Sequence, residues 1–245
     1  MRLKAEYLRQ FLRDSHGAVT VDYVILAAAV TAVTLASTDV IQNGMRSLAG
    51  TVDSELKGEA PGSGHAMTYS DGFDNGSQGW SGTSSANVSG IGNVLGPIGG
   101  SNGAPTVSRD FAFEEGTESA TFEFDLYAMD SLDNESGIIF VDGQEIGRIT
   151  SNLGKATFQV ADGIDPDAYI IRQTTIDDDV HLGGSSEWRD HHSNIAITVR
   201  NPNTNVNVGF GSTANQSTSD ESISIDNFTV TTKTAPTTTA PTTTG

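Results

Sequence analysis

The chain has no cysteine among its 245 residues, which excludes disulfide staples, thiolate nucleophiles and Cys-ligated zinc. Positive charge is also scarce. Thirteen Lys and Arg stand against 31 Asp and Glu, a formal charge of −18, and such a surface repels nucleic-acid phosphates and anionic lipid. Apolar residues make up only 36% of the chain, while glycine is frequent at 27. That balance argues against an all-helical protein and for short strands joined by many turns. No nucleophilic-serine motif is present. The glycine-rich stretch at 92–103 leads into neither a helical run nor a Lys, so it is not a phosphate cradle.

Long apolar runs are missing as well, with one exception. Residues 18–36 read AVTVDYVILAAAVTAVTLA and carry a single charge. As a helix they would span roughly 28 Å, close to a bilayer core. Residues 1–17 precede them with Arg2, Lys4, Arg9 and Arg13 against Glu6 and Asp14, a net of +2, which leaves nine bases against 29 acids in the remainder. This asymmetry places the leader on the cytoplasmic side and the acidic mass outside. The one charge, Asp22, costs about 2–3 kcal/mol if it lies deep in the apolar layer. It is either a polar residue tolerated near the membrane surface or the partner of a cation inside the layer. A cut after Gly17 would supply that cation as the α-amine of Ala18.

Gly17-Ala18-Val19-Thr20-Val21-Asp22-Tyr23, preceded by Phe11-Leu12-Arg13-Asp14, resembles the cleavage region of Flp-type (Tad) type IVb prepilins, over about residues 8–56. The resemblance implies a prepilin peptidase acting at Gly17-Ala18, and Asp22 and Tyr23 taking part in subunit assembly through the N-terminal helix. It also implies residence in the inner membrane as a precursor, then in a cell-surface filament. Asp22 stands where the family has Glu, one methylene shorter. Ala27, Ala28, Ala29 and Ala32 would let helices approach closely. Ile41, Met45, Leu48, Val52 and Leu56 continue one helical stripe, interrupted by Gly44 and Gly50. Two other export routes remain open: a secretory signal cut after Thr34-Leu35-Ala36, or an uncleaved signal anchor.

The expected organisation is a leader at 1–17, a membrane or filament-core helix at 18–57, a linker at 58–66, a β-sandwich at 67–232 and a Thr/Pro-rich tail at 233–245. The fold class is thus mainly β: a long hydrophobic N-terminal helix followed by an antiparallel jelly roll. The linker has Gly/Ser/Pro composition, and the tail repeats Ala-Pro-Thr-Thr-Thr at 235–239 and 240–244. Within the body, Phe122, Phe124 and Leu126 alternate with Glu123, Asp125 and Tyr127. Ile195, Ile197 and Val199 alternate again, as do Val206, Val208 and Phe210, and Ile223, Ile225, Phe228 and Val230 close the segment. Asp142-Gly143 after an apolar run signals a hairpin.

Asp130, Asp133 and Glu135 place three acids within six residues at a strand end, a spacing suited to a hard cation such as calcium. Three further segments matter: Gly72-Phe73-Asp74 with Gly79-Trp80, Leu95 to Gly100, and Ser224-Ile225-Asp226-Asn227-Phe228. With the Asp130–Glu135 run before Val141-Asp142-Gly143, they resemble concanavalin/laminin-G-like and carbohydrate-binding-module jelly rolls. That resemblance implies a lectin-like adhesive module, often calcium-bound, that binds glycan or another surface ligand. It also brings Asp74 and Asp226 near each other as further calcium ligands.

Catalysis is not expected. Glu123-x-Asp125 resembles the catalytic strand of laminarinase-like glucanases, but the family's acid/base glutamate falls where this chain has Tyr127 and Ala128, and the mechanism needs both carboxyl groups. His181, Glu187, Asp190, His191 and His192 read as a polar loop, as does Asp177-Asp178-Asp179. Of the two tryptophans, Trp80 reads as core and Trp188, set among charges, as an exposed ring for a ligand.

Overall fold

A computed structural model of the chain describes residues 65–100, 102–183 and 187–234. The N-terminal leader, the apolar segment with Gly17, Ala18, Asp22 and Tyr23, most of the linker and most of the tail lie outside them. No helix among the described residues is long and apolar enough to cross a membrane.

Twelve strands follow in sequence: β1 (His65–Asp71), β2 (Ser85–Val88), β3 (Gly92–Ile98), β4 (Val107–Ala112), β5 (Thr117–Asp130), β6 (Asp133–Val141), β7 (Gln144–Asn152), β8 (Lys155–Val160), β9 (Tyr169–Val180), β10 (Asp190–Arg200), β11 (Asn205–Ser212) and β12 (Glu221–Thr234). They form two antiparallel sheets. The larger has seven strands, in the order β2-β3-β12-β5-β10-β9, with β1 also paired to β12. The smaller has five, in the order β4-β11-β6-β7-β8. β1 begins at His65, inside the segment read from sequence as linker.

Period-two alternation explains why these segments are strands and which face each buries. Phe122, Phe124, Leu126 and Ala128 of β5 enter the core, as do Ile195, Ile197 and Val199 of β10 and Val206, Val208 and Phe210 of β11. In β12 the inward series Ile223, Ile225 would put Asn227 next. A bulge between Asp226 and Thr229 resets the phase, so Phe228 and Val230 turn inward instead. Phe228 then sits at the centre of an aromatic cluster. It stacks on Phe111 (5.6 Å, 8°) and Phe124 (5.6 Å, 6°) and meets Trp80 edge-on at 5.0 Å. Each such ring, fully buried, contributes about 1.5–3 kcal/mol of transfer free energy.

Turn chemistry closes the sheets. Asp142 and Gly143 both have positive φ (50° and 76°), the type I′ pattern whose twist matches the strands it joins. Trp80 is 7% exposed and belongs to the core. Its indole N–H donates to the Tyr69 hydroxyl, which also accepts from Arg109 at 2.9 Å and donates to Asp71 at 2.7 Å.

Candidate binding face

The same alternation that fills the core presents a second set of side chains on the other face of the seven-stranded sheet. Asp125 and Tyr127 of β5, His192 and Asn194 of β10, and Ser224 and Asp226 of β12 each alternate with core residues. Register then aligns them across the strands. Tyr127 stands opposite His192 on one side and Ser224 on the other, and Asp125 stands opposite Asn194 and Asp226. His192 in turn faces Asp177 of β9.

A chain of polar contacts results, running across the sheet. Asn87 of β2 donates to Asn93 of β3 (3.2 Å), and Asn93 donates to Asp74, just beyond β1 (3.0 Å). Asp74 Oδ2 and Asp226 Oδ1 lie 3.9 and 4.0 Å from the point a Gly72 Cβ would occupy. The Asn227 side chain links β12 to Asp125 Oδ2 (2.9 Å), and Asn194 donates to Asp125 Oδ1 (3.1 Å). His192 ends the row, 3.5 Å from Asp125 through Nε2 and 3.4 Å from Asp177 through Nδ1. Its ring stacks on Tyr127 at 4.3 Å and 17°.

The electrostatics of this row are lopsided. Burial works against the Asp125 charge, but the adjacent His192 and the hydrogen bonds from Asn194 and Asn227 outweigh it and hold the carboxyl below its usual range. Asp226 behaves oppositely. Burial, with the charges of Asp125, Asp74 and Asp71 added, pushes it up to about 6. Burial opposes the charged form of His192, yet Asp125 and Asp177 together raise it above the ordinary imidazole value. Tyr127 is raised by burial and by the surrounding aspartates.

Two polar atoms on this face make no hydrogen bond. His192 Nε2 and Ser224 Oγ are buried without a hydrogen bond, and the third such side-chain atom among the described residues is Ser151 Oγ. At 3.5 Å the Nε2–Asp125 contact is an ion-pair distance rather than a good hydrogen bond.

A second acidic group lies where β6 and β12 begin. Oxygens of Asp133, Glu135 and Glu221 come within 4.8 Å of one another. Glu221 is fully buried. It accepts the backbone N–H groups of Asn215 (2.9 Å) and Gln216 (3.1 Å) and the Gln216 side-chain amide (3.0 Å). Glu135 accepts from the Asp133 backbone and the Asn215 side chain, and burial plus the Glu221 and Asp133 charges raise it. Such all-oxygen donors suit calcium chemically. Asp130 is not in this trio. Its backbone N–H donates to buried Asp190 at 2.8 Å, and Asp190 also caps the Leu182 and Gly183 N–H groups.

The structure thus joins Asp133 with Glu135, adds Glu221, and brings Asp74 into the neighbourhood of Asp226. Trp188 is 37% exposed, on the connection between β9 and β10. Two segments read as polar loops are strand instead. Asp190, His191 and His192 open β10, with the two histidines on opposite faces, and Asp177, Asp178 and Asp179 lie in β9. His191 and His192 pair with Asp178 and Asp177 across those strands.

No family model matches the chain, and no curated protein matches it either. Its likenesses among solved structures are distant. Modules of the N-terminal endo-1,4-β-D-xylanase 10B of Clostridium thermocellum, complexed with xylohexaose, align over 71% of this chain and 30% of that one, at 13% identity and a TM-score of 0.35. A carbohydrate-binding module studied for mannan recognition aligns over 69% of this chain and 99% of its own (10% identity, TM-score 0.35). A module of the evolved Dit of Lactobacillus casei BL23 phage J-1 aligns over 70% and 97% (11%, 0.36). The chain spans about 30% of the length of the xylanase modules. Nothing about a ligand transfers at these identities.

Proposed function

We propose that the chain is a type IVb pilin-like subunit whose β-sandwich, carried outside the membrane, binds glycan through the face of its seven-stranded sheet and performs no catalysis. The observation behind the binding reading is the polar row from Asn87 to Asp177, in which carboxamides hold carboxylates in place across the strands. Carboxylates accept from vicinal sugar hydroxyls, while carboxamides both donate and accept. A row fixed in advance loses little conformational freedom when a ligand arrives. Trp188 adds an exposed apolar ring on the connection between the strands that carry Asp177 and His192. The filament role is supported by sequence alone: Gly17, Ala18, Asp22 and Tyr23 in their prepilin-like order, ahead of an apolar run.

Glycan-array binding by the full-length protein in detergent tests the site. Retention of one glycan class is expected, with loss in Asp125→Ala and Asn194→Ala at unchanged secondary structure. Binding that survives both substitutions would move the site elsewhere. The N-terminal residue of protein recovered from the cell surface tests the filament role. Ala18 supports it, whereas Ser37 or Met1 leaves a secreted or anchored glycan-binding protein.

Calcium belongs to the same proposal, held by Asp133, Glu135 and Glu221. Two buried, adjacent carboxylates repel each other, and a divalent cation would relieve that repulsion. Calcium is expected to raise the melting temperature of chelator-treated protein where magnesium does not. Glu221→Gln should abolish the response. A melting temperature indifferent to calcium would remove the ion from the account.

A further inference from the structure

We infer that the outward side of the five-stranded sheet carries a second sugar site, a cleft over β7 and β8 that takes a neutral, hydroxyl-rich glycan. It goes beyond the seven-stranded face proposed above and stands without it, because the two sites share no residue and lie on opposite sides of the core.

Alternation places the cleft. Ile149 and Phe158 face each other across β7 and β8 and turn to the core, so their neighbours Arg148 and Gln159, also a cross-strand pair, turn away from it. Gln144 and Glu145 at the start of β7, with Val160 and Asp162 at and beyond the end of β8, complete the walls. The cleft holds about 780 Å³, within the range of small-ligand sites.

A flat ion pair lies at its centre. Arg148 donates through Nε to Glu145 Oε1 (2.7 Å) and through Nη2 to Oε2 (2.8 Å). Only two of the five guanidinium donors are spent on this carboxylate, and each carboxylate oxygen keeps a further lone pair. With side chains 36% and 27% exposed, the pair contributes little to folding, yet it fixes donors and acceptors side by side. The exposed carboxamides of Gln144 and Gln159 likewise donate and accept. Adjacent hydroxyls of a sugar ring, which do both, match such a set. Val160, 50% exposed, supplies an apolar patch for the C–H face of the ring.

Charge disfavours other ligand classes. An anion would compete with Glu145 for Arg148. A cation would find Glu145 already compensated, and the attraction of exposed Asp162 is screened by solvent. No aromatic ring lines the cleft, so stacking adds nothing. The dissociation constant is therefore expected to be on the order of 1 mM, too weak to survive the washing of an array. One sandwich then holds two glycan chains, one on each side, and many displayed copies tie chains together.

Nuclear magnetic resonance of the full-length protein in detergent tests the inference, because side-chain amide signals mark each site separately. Gln144 and Gln159 report the cleft, and Asn194 and Asn227 report the seven-stranded face. The probes, at millimolar concentration, are β-1,4-linked hexamers of glucose and of N-acetylglucosamine, with hexamers of galacturonate and of glucosamine as charged counterparts. A neutral hexamer is expected to shift the Gln144 and Gln159 signals saturably, and to bind there more tightly than either charged hexamer. Arg148→Ala should abolish the Gln159 shift while leaving Asn194 and Asn227 as they were. Thr157→Ala, the next outward position of β8, should change nothing. Shifts confined to Asn194 and Asn227 would overturn the cleft and leave the polar face standing. Shifts confined to the two glutamines would support the cleft and count against that face. Silence at all four amides would overturn both. Equal or tighter binding of a charged hexamer, or a Gln159 shift that survives Arg148→Ala, would overturn the neutral-sugar assignment.

Discussion

Replacing Asp226 by Asn should stabilise the sandwich at neutral pH and weaken its ligand binding. The carboxyl is pushed up to about 6 in the folded chain, first by burial and then by Asp125, Asp74 and Asp71, against an unfolded value of 3.8. The folded state therefore holds this proton more tightly than the unfolded chain does. Its contribution to stability is complete below 3.8, declines as pH rises towards 6, and is gone above that. Two pH units correspond to an upper bound of about 3 kcal/mol. Because Asp226 is only partly buried, solvent screening reduces this to about 1–2 kcal/mol. Asn keeps an oxygen for the Asn227 backbone N–H, which donates to Asp226 at 2.7 Å, but carries no charge. Urea unfolding at pH 8 should give the variant an advantage of about 1–2 kcal/mol, a few degrees in melting temperature for a domain of this size, shrinking to nothing at pH 4. An advantage that is absent at pH 8, or that grows on acidification, would refute the reasoning. Stability gained at the expense of binding is the pattern expected where a site stores like charge for its ligand.

Phe228→Ala should cost about 3–5 kcal/mol, because it empties the point where the rings of Phe111, Phe124 and Trp80 converge; the shift in urea midpoint measures it, and a loss under 1 kcal/mol would mean that the cluster does not centre on this ring. Gly82→Ala is expected to fold poorly. Its φ is +95°, and an added Cβ would fall 1.7 Å from the Thr106 carbonyl oxygen, so a soluble variant with an unchanged melting temperature would contradict the local geometry. His192 should titrate above ordinary histidine by NMR, since Asp125 and Asp177 outweigh its burial. The stability it contributes is present below the unfolded value and lost as pH rises through the folded one. In Asp125→Asn its titration should move down, and no movement would detach the two groups.

The core strands were legible because their apolar alternation is local. β5, β10 and β11 can each be read from a single segment, and Asp142-Gly143 announces the hairpin between β6 and β7. β9 was not legible. It is an edge strand whose residues are exposed or only half-buried along its whole length, and the acids that protect such an edge from pairing with other chains also erase the hydrophobic pattern. Its Asp177-Asp178-Asp179 therefore reads as loop until the register with His191 and His192 is known.

The polar face was hidden for a related reason. Asp125 drew attention through Glu123, two residues away on the same strand, yet the groups that orient it, Asn194 and Asn227, lie 69 and 102 residues further on. Glu221 was missed among the acids at the start of β12, because only the pairing of β12 with β5 and of β5 with its continuation into β6 brings it to Glu135. A single sequence carries the pleat of each strand but not the register between strands. A core tolerates that ignorance, because any neighbouring apolar residue serves. A polar row does not, since one residue of slip turns every member of a strand to the opposite face. The bulge between Asp226 and Thr229 is the sharpest instance. It leaves Asp226 on the polar face while turning Phe228 into the core, so a fully buried ring and a carboxylate of the polar row sit on either side of the same irregularity in β12.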